Sequence, residues 1–209
     1  MTKRTFFLDA DTVASTPGRV RQHFLTYVRS FPRIPIFCFV LLLSGIAMQV
    51  SMGKGGMALA TPAVAFMLLH WAVAEEHLRN GDLCPGLVVE PNLVAVWTDL
   101  STGGPCEPFV KVLRVPLHRV RGPVPVVGDR IATVALYRGS LSAKRWKDFS
   151  PVVVNLVTND AAEIRRAVER VQEPFWAMVE AGASELPKPL RPGLYPVVAG
   201  KHLDMWADA

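Results

Sequence analysis

The sequence predicts an α+β protein in which a transmembrane hairpin of two helices precedes a small antiparallel β-barrel or sandwich closed by a C-terminal helix. Three observations lead to this fold class. Two uncharged runs of 20 residues lie near the N-terminus, several strand-like segments separated by Gly and Pro follow them, and a helical pattern comes after the strands. Half of the 209 residues are hydrophobic and only 20% are charged. This balance excludes a disordered chain.

The chain divides into four predicted regions. They are an N-terminal segment (1–33), a transmembrane hairpin (34–80), a β-rich domain with its closing helix (81–181) and a proline-rich tail (182–209). The tail holds prolines that favour an extended chain, namely Pro187, Pro189, Pro192 and Pro196. The apolar residues among these prolines predict that part of the tail docks on the β-rich domain.

The N-terminal segment is predicted to contain an amphipathic helix over residues 16–31. Thr16 is suited to the N-cap position and Pro17 to the first helical position. Apolar residues share one face of this helix, namely Val20, Phe24, Tyr27, Val28 and Phe31. Arginines occupy much of the opposite face. Such a helix either lies in the headgroup plane of a membrane or packs on the soluble domain, and the pattern leaves both alternatives open.

The hairpin consists of the two uncharged runs, residues 34–53 and 55–74, joined by a short glycine-rich link at Lys54. Twenty helical residues cover the roughly 30 Å hydrocarbon core of a bilayer. The link is too short to cross the membrane again, so both ends of the hairpin are expected on one side. Small residues would let the helices approach closely, and these are Gly45, Ala47, Ala58, Ala60, Ala63 and Ala65.

The distribution of basic residues predicts the orientation in the membrane. Six Lys and Arg precede the first run, and Lys54 is at the tip of the hairpin. The positive-inside rule therefore predicts an integral membrane protein with both termini and the β-domain in the cytoplasm. The 135 residues after Ala74 carry equal numbers of basic and acidic groups, which argues against nucleic-acid binding. The three cysteines lack C-x-x-C spacing, so neither a disulfide nor a zinc framework is indicated.

The β-rich domain is predicted from strand-like segments between turn residues. We place strands at 87–90, 93–99, 109–115, 117–120, 130–138 and 152–158. The last of these is almost continuously apolar, so we expect it near the centre of the sheet. The closing helix is predicted over 160–173. Its residues Ile164, Val168 and Val171 are expected to pack on Val152, Val154 and Leu156.

The order of these elements carries a resemblance to known bacterial proteins. The segments LVVEPNLVAVWTD and KVLRVPLHRV, followed by the helix in VVVNLVTNDAAEIRRAVERV, resemble the strands and closing helix of membrane-flanked pleckstrin-homology-like domains. The segment from Trp146 to Pro151, WKDFSP, is similar to one in uncharacterised bacterial membrane proteins that carry a domain of unknown function. The resemblance covers about residues 34–175. It implies a small β-domain next to the membrane, and it carries over no catalytic residue to this chain.

Two places stand out as candidate sites. His70 is the titratable group inside the second apolar run, where ionisable residues often have a function. The alternative, which we favour, is a neutral His70 that bonds to the backbone or extends to the membrane interface beside Trp71. The loop SLSAKRWKDFSP contains Lys144, Arg145, Trp146 and Lys147 in an otherwise neutral domain. These residues suit contact with an anionic lipid headgroup or an acidic protein partner. Alternatively, Trp146 folds back into the core and the charges are solvated.

The sequence lacks a phosphate-binding loop, a nucleophile elbow, an H-E-x-x-H motif and a dinucleotide fingerprint, and it indicates no cofactor. We therefore expect a membrane-anchored, non-enzymatic binding or scaffold module at the cytoplasmic face of a bacterial-type membrane. One alternative is a subunit of a homo-oligomeric channel or transport assembly, because two helices cannot enclose a pathway alone. The other is an enzyme that acts on a membrane-associated substrate.

Overall fold

The computed structural model describes residues 14–52, 56–120, 122–140 and 142–202. The helices are α1 (Phe24–Ser30), α2 (Arg33–Met52), α3 (Met57–Asn80), α4 (Ala161–Arg170) and α5 (Glu173–Ser184). The strands are β1 (Asp82–Glu90), β2 (Leu93–Asp99), β3 (Pro108–Arg114), β4 (Arg130–Arg138), β5 (Asp148–Val153) and β6 (Gly193–Pro196). Two short 3-10 helices lie at Leu117–Arg119 and Val154–Leu156. The α+β class and the predicted order of elements are confirmed.

Helices α2 and α3 pack against each other through small residues. A Cβ atom on Gly45 would lie only 2.8 Å from the carbonyl oxygen of Gly56 and 2.9 Å from the nitrogen of Ala60. A larger residue at position 45 would therefore force the helices apart. Gly45 and Ala63 are buried and Ala60 is partly buried, as expected of a helix contact. The other three predicted contact residues are exposed, and these are Ala47, Ala58 and Ala65.

The outward faces of the hairpin expose large apolar side chains. On α2 these include Ile36, Phe37, Phe39, Val40, Leu43, Ile46 and Val50. On α3 they include Met57, Leu59, Val64, Phe66, Leu68 and Leu69. Both helices are long and apolar enough to cross a membrane. A core helix of a soluble protein would bury these side chains, because apolar surface in water is unfavourable.

The N-terminal segment differs from its prediction, because the helix begins at Phe24 and not at residue 16. The preceding residues are extended along the end of α3, where the N–H groups of Gly18 and Val20 donate to the carbonyls of Gly81 and Leu78, at 2.8 and 3.1 Å. These long-range bonds outcompete the local helical signal of Thr16 and Pro17. In α1 the buried Tyr27 faces the domain, whereas Phe24 is half exposed. Helix α1 therefore packs on the protein through Tyr27, and a position in the headgroup plane stays a prediction.

The six strands form one antiparallel sheet, curled into a half-barrel, in the order β5-β4-β1-β2-β3-β6. The predicted bounds of β2 and β4 agree with the structure. Strand β1 begins at Asp82, five residues earlier than predicted, because 82–87 pair with 130–135 of β4. The segment 117–120 is not a strand but contains a 3-10 turn. Pro116 directly before it lacks the N–H that a continued ladder would need.

The predicted central strand at 152–158 is wrong. β5 ends at Val153, pairs only with β4 and lies at the edge of the sheet. The chain then forms a 3-10 turn, which directs Val154 to one side of the sheet and Leu156 to the other. Both side chains are buried, so the continuous apolar run reflects burial on two faces and not a strand.

Two apolar clusters fill the two faces of the sheet. The first holds Trp97, Val110 and Val134 of the sheet with residues of the C-terminal helices and of the turn between them, including Ala167, Val171, Trp176 and Val179. The predicted contacts of Ile164 and Val168 with this cluster are present, although both side chains are only partly buried. The second cluster holds the aromatic residues Tyr137, Trp146 and Phe149, and also Leu156. Leu156 is therefore not a partner of the closing helix.

The chain after α4 continues as a second helix and then returns to the sheet. The predicted helix ends at Arg170, and α5 begins with Glu173 and Pro174 in its first turn. The tail then adds β6 to the edge of β3, and the indole N–H of Trp97 donates to the carbonyl of Ala199 at 3.0 Å. The expected docking of the tail is observed.

Candidate functional site

The loop predicted for binding connects β4 to β5 and turns one of its residues into the core. The Trp146 side chain is 6% exposed and stacks on the ring of Tyr137, with 5.7 Å between the ring centroids. Lys144, Arg145 and Lys147 are exposed. Of the two alternatives for this loop, the one with the ring in the core and solvated charges is observed. Trp146 is therefore not available as a surface anchor.

Main-chain hydrogen bonds hold this loop against the end of β2. The N–H of Trp146 donates to the carbonyl of Leu100 at 2.8 Å, and the N–H of Lys147 donates to Arg138 at 2.9 Å. Ser101 forms an isolated β-bridge with Arg145. The guanidinium of Arg145 lies 3.3 Å from Glu107 in an exposed ion pair. The loop is thus held in a defined position at this end of the sheet.

His70 lies at the side of α3 that faces α1. Its Nε2 atom is 3.0 Å from the hydroxyl of Tyr27. Seven residues later, Nε2 of His77 is 3.0 Å from the carbonyl oxygen of Val134. Both histidines line one cavity of about 190 Å³ together with apolar residues such as Val152. Within the described residues no group of three or more His, Cys, Asp or Glu could hold a metal ion.

A cluster of buried polar side chains occupies the end of the sheet beside this loop. The hydroxyl of Tyr137 donates to Oδ2 of Asp82 at 3.0 Å and lies 2.6 Å from the hydroxyl of Thr98. The thiol of Cys84 is 3.8 Å from the same Thr98 hydroxyl. The other carboxylate oxygen of Asp82 accepts the N–H of Thr16 at 2.9 Å. Strands β1 and β4 and the N-terminal segment therefore meet at one carboxylate, and Thr98 of β2 joins them through the Tyr137 hydroxyl.

The cluster forms the floor of a cleft of about 100 Å³. Asp82, Asp99 and Ser101 contribute carboxylate and hydroxyl groups to its lining. The aromatic walls are Trp97, Tyr137, Trp146 and Phe175. Trp146 thus links the loop predicted from the sequence to a cleft that the sequence did not predict. Asp82, Thr98 and Tyr137 lie on three different strands, and Tyr137 is 55 and 39 residues from the other two, so their spacing carried no signal.

Burial determines the protonation of this cluster. Burial raises the pKa of Asp82 to about 6, although hydrogen bonds from Thr16 and Tyr137 act in the opposite direction. Burial and the charge of Asp82 raise the pKa of the Cys84 thiol, so it stays protonated at neutral pH and is a poor nucleophile. The described lining residues include no histidine that could serve as a general base. The cleft can accept hydrogen-bond donors or a positive charge.

Comparisons with known proteins place the cleft within a family domain. A family model described as "Protein of unknown function (DUF3239)" matches residues 70–186, which include all of β1 to β5 and both C-terminal helices. The chain belongs to this family. The DUF3239 region also contains every residue that lines the cleft except Ser15 and Thr16. The expected resemblance to bacterial membrane proteins with a domain of unknown function is therefore confirmed.

No curated protein shows significant similarity to the chain. Among solved structures, one described as "Crystal structure of a putative membrane protein from Corynebacterium diphtheriae" is 20% identical, with a TM-score of 0.47. The alignment covers 56% of this chain and 100% of that chain. The pleckstrin-homology-like resemblance stays a prediction.

Proposed function

We propose that this DUF3239 protein is a membrane-anchored, non-enzymatic binding module at the cytoplasmic face of the membrane. In this proposal the hairpin of α2 and α3 anchors the protein, and the cleft at Asp82 binds a positively charged group of a partner protein. The observation that carries the anchoring is the continuous exposure of large apolar side chains on both helices. Lipid chains would cover this surface in place of water.

The contacts of the N-terminal segment support one common side for both flanks of the hairpin. The N–H of Arg19 donates to the carbonyl of Arg79 at 3.0 Å, so the chain before α2 lies against the end of α3. The chain therefore enters and leaves the hairpin at the same end. The excess of basic residues in this N-terminal segment supports the cytoplasm as that side.

The lining of the cleft supports a cationic ligand. Two carboxylates, Asp82 and Asp99, line it together with four aromatic rings, and no described lining residue carries a positive charge. Carboxylates and aromatic faces both attract cations such as the ammonium group of lysine. A volume of about 100 Å³ suits a single side chain of this kind rather than a large cofactor. We therefore propose a lysine side chain of a partner protein as the ligand.

Membrane extraction tests the anchoring half. The full chain should remain with the membrane after washing with alkaline carbonate and should dissolve only in detergent, because its apolar helices span the bilayer. Release by carbonate alone would contradict the proposal. The same detergent extract gives the mass of the assembly, and a monomer would argue against the homo-oligomeric channel.

Calorimetric titration tests the binding half. The full chain in nonionic detergent is titrated with n-butylammonium, which mimics a lysine side chain, and with n-butanol as a neutral control. We expect saturable binding of the amine alone. The substitution Asp82→Asn should weaken it about tenfold or more, the loss typical of one charged hydrogen bond. Glu90→Gln removes the same charge at an exposed position on the opposite end of β1 and should leave binding unchanged. If the wild type does not bind the amine, or if Asp82→Asn and Glu90→Gln bind it equally well, the cleft is not the binding site.

A further inference from the structure

A second cleft lies on the other side of the N-terminal segment and is lined by arginines. Arg19, Arg166 and Arg170 surround a volume of about 220 Å³ together with Gly18 and Glu163. Arg19 and Arg166 are exposed and Arg170 is partly buried. None of the three forms an ion pair with an acidic residue in the part of the chain that the structure describes. The cleft therefore concentrates positive charge that no ion pair among the described residues neutralises.

Arg170 is held in place by main-chain oxygens. Its guanidinium donates to the carbonyl of Gly18 at 2.8 Å and to that of Pro17. These bonds orient the guanidinium without neutralising it. Burial and, as the smaller cause, the nearby charge of Arg19 lower the pKa of Arg170, as expected of two like charges that line one cleft and repel each other. An anion between them would relieve this repulsion.

The backbone of Arg19 adds an independent observation. Arg19 has a φ angle of +52°, a left-handed conformation that is unfavourable for a residue with a long side chain. The hydrogen bonds of Gly18, Arg19 and Val20 to the end of α3 hold this conformation. Local strain of this kind persists where the surrounding structure enforces it, and it is concentrated at ligand sites. Here the left-handed backbone conformation places the Arg19 side chain at the cleft.

Glu163 is the acidic residue in the lining, and its carboxylate is already engaged. One oxygen accepts the N–H of Arg21 at 2.7 Å, and the other accepts the hydroxyl of Thr158 at 3.3 Å. The charge of three guanidiniums therefore exceeds that of one hydrogen-bonded carboxylate. Guanidinium groups bind both carboxylate and phosphate oxygens in pairs of parallel hydrogen bonds, but a phosphate has more oxygens and can bind several guanidiniums at once. A phosphate group therefore matches a lining of three arginines better than a carboxylate does.

We propose that the cleft of Arg19, Arg166 and Arg170 binds the phosphate group of an anionic membrane lipid. The choice of a lipid rests on the proposed membrane anchoring and on the short distance between the cleft and the end of the membrane-spanning run of α3. The Arg19 backbone is bonded to Arg79, five residues after Ala74, the last residue of the uncharged run in α3. Five helical residues rise about 8 Å, which places the cleft next to the headgroup layer.

The test uses the full chain in nonionic detergent and three probes. They are inorganic phosphate, short-chain phosphatidylglycerol and short-chain phosphatidylcholine, each titrated by calorimetry. We expect phosphatidylglycerol to bind more tightly than the other two. The double substitution Arg19→Gln with Arg166→Gln should weaken this binding about a hundredfold, roughly tenfold for each guanidinium removed. Arg170 is left unchanged because it also fastens the N-terminal segment.

A matched control separates a built site from general charge attraction. Lys144→Gln with Lys147→Gln removes the same charge from two exposed residues on the β4–β5 loop. This control should change binding less than threefold, in keeping with the weak effect of solvated charges. Equal losses in the two double variants would overturn the site. Inorganic phosphate that binds as tightly as the lipid would overturn the lipid as ligand and identify a soluble phosphate ester. Carbonate extraction reports on the anchoring separately.

Discussion

Asp82 is the residue at which the N-terminal segment, β1 and β4 are joined. Its carboxylate accepts hydrogen bonds from Thr16 and Tyr137, and Pro17 forms a β-bridge with it. The raised pKa means that the folded protein holds a proton on Asp82 more tightly than the unfolded chain does. A group of this kind stabilises the fold below its unfolded pKa, and this contribution is lost as the pH rises through the folded pKa.

The pH dependence of stability should therefore change when Asp82 is replaced. From pH 4.5 to pH 7.5 the wild type should lose about 2 kcal/mol of stability relative to Asp82→Asn, because Asn does not titrate. Chemical unfolding in detergent at both pH values, followed by circular dichroism, gives this difference. All other titrating groups cancel in the comparison. Parallel pH profiles for the two proteins would show that Asp82 does not have a raised pKa.

The left-handed backbone of Arg19 leads to a second prediction. Arg19→Gly should stabilise the fold by about 1 kcal/mol, because glycine adopts a positive φ without steric cost. Arg19→Gln removes the charge but keeps the strain, so it serves as the control and should change stability by less than about 0.5 kcal/mol. Thermal unfolding of the three proteins measures both effects. A loss of stability in Arg19→Gly would mean that the backbone at this position is not strained.

Among the elements, the loop between β4 and β5 is one whose sequence allowed two interpretations, which only the structure distinguishes. Three cations next to Trp146 suggested a binding loop, and the same residues fit a loop whose aromatic ring is buried. Composition does not distinguish these cases. A Trp has both an apolar body and a polar N–H, so it suits an interface with lipid or a partner as well as a protein core. The stacking partner Tyr137 lies on the preceding strand, and only the register of β4 with β5 shows that the rings meet.

Substitutions in this loop should separate packing from charge. Trp146→Ala should cost about 3–5 kcal/mol of the free energy of unfolding, because it removes a large ring from the core and leaves a cavity. Replacement of Lys144, Arg145 and Lys147 together by Gln should cost less than about 1 kcal/mol, because solvated charges and an exposed ion pair contribute little. Denaturant titration in detergent provides both values. Similar costs for the two changes would contradict the burial of the ring.

The strands divide into those that local pattern predicts and those that it does not. β2 and β4 alternate or lie between clear turns, and their predicted bounds were correct. The start of β1 was missed because Pro85 and Gly86 disfavour a strand locally, although pairing with β4 on one side and β2 on the other compensates. β6 contains Gly193 and Pro196, so only its position beside β3 makes it a strand.

For the whole molecule, the hairpin followed by a β-domain could be predicted because long apolar runs and short alternating strands carry strong signals. The two clefts could not be predicted. Asp82, Thr98 and Tyr137 belong to three strands, and Arg19 and Arg170 come from opposite ends of the chain. Such sites depend on strand order and on the docking of the N-terminal segment. Neither of these long-range arrangements produces a recognisable local pattern in a single sequence.

The topology of the whole chain gives the fourth prediction. A cysteine at position 104, in the exposed turn after β2, should be protected from a membrane-impermeant maleimide in intact cells. Lys54→Cys, at the tip of the hairpin, should be labelled, because we place the tip outside. The native cysteines Cys38, Cys84 and Cys106 are buried, so they should add little background. Labelling at 104 without labelling at 54 would reverse the orientation.

The attachment of the N-terminal segment has a consequence for the order of biosynthesis. The N–H of His23 bonds to Val157, and that of Arg21 bonds to Glu163, 142 residues later in the chain. A ribosome must therefore synthesise both membrane helices and every strand up to β5 before this segment can find its final partners. Under the proposed anchoring, a hairpin that inserts into the membrane during synthesis does so while Arg21 is still unattached, at the stage when its charge can influence the direction of insertion. The N-terminal segment, although it is synthesised first, is therefore among the last parts of the chain to reach its final position.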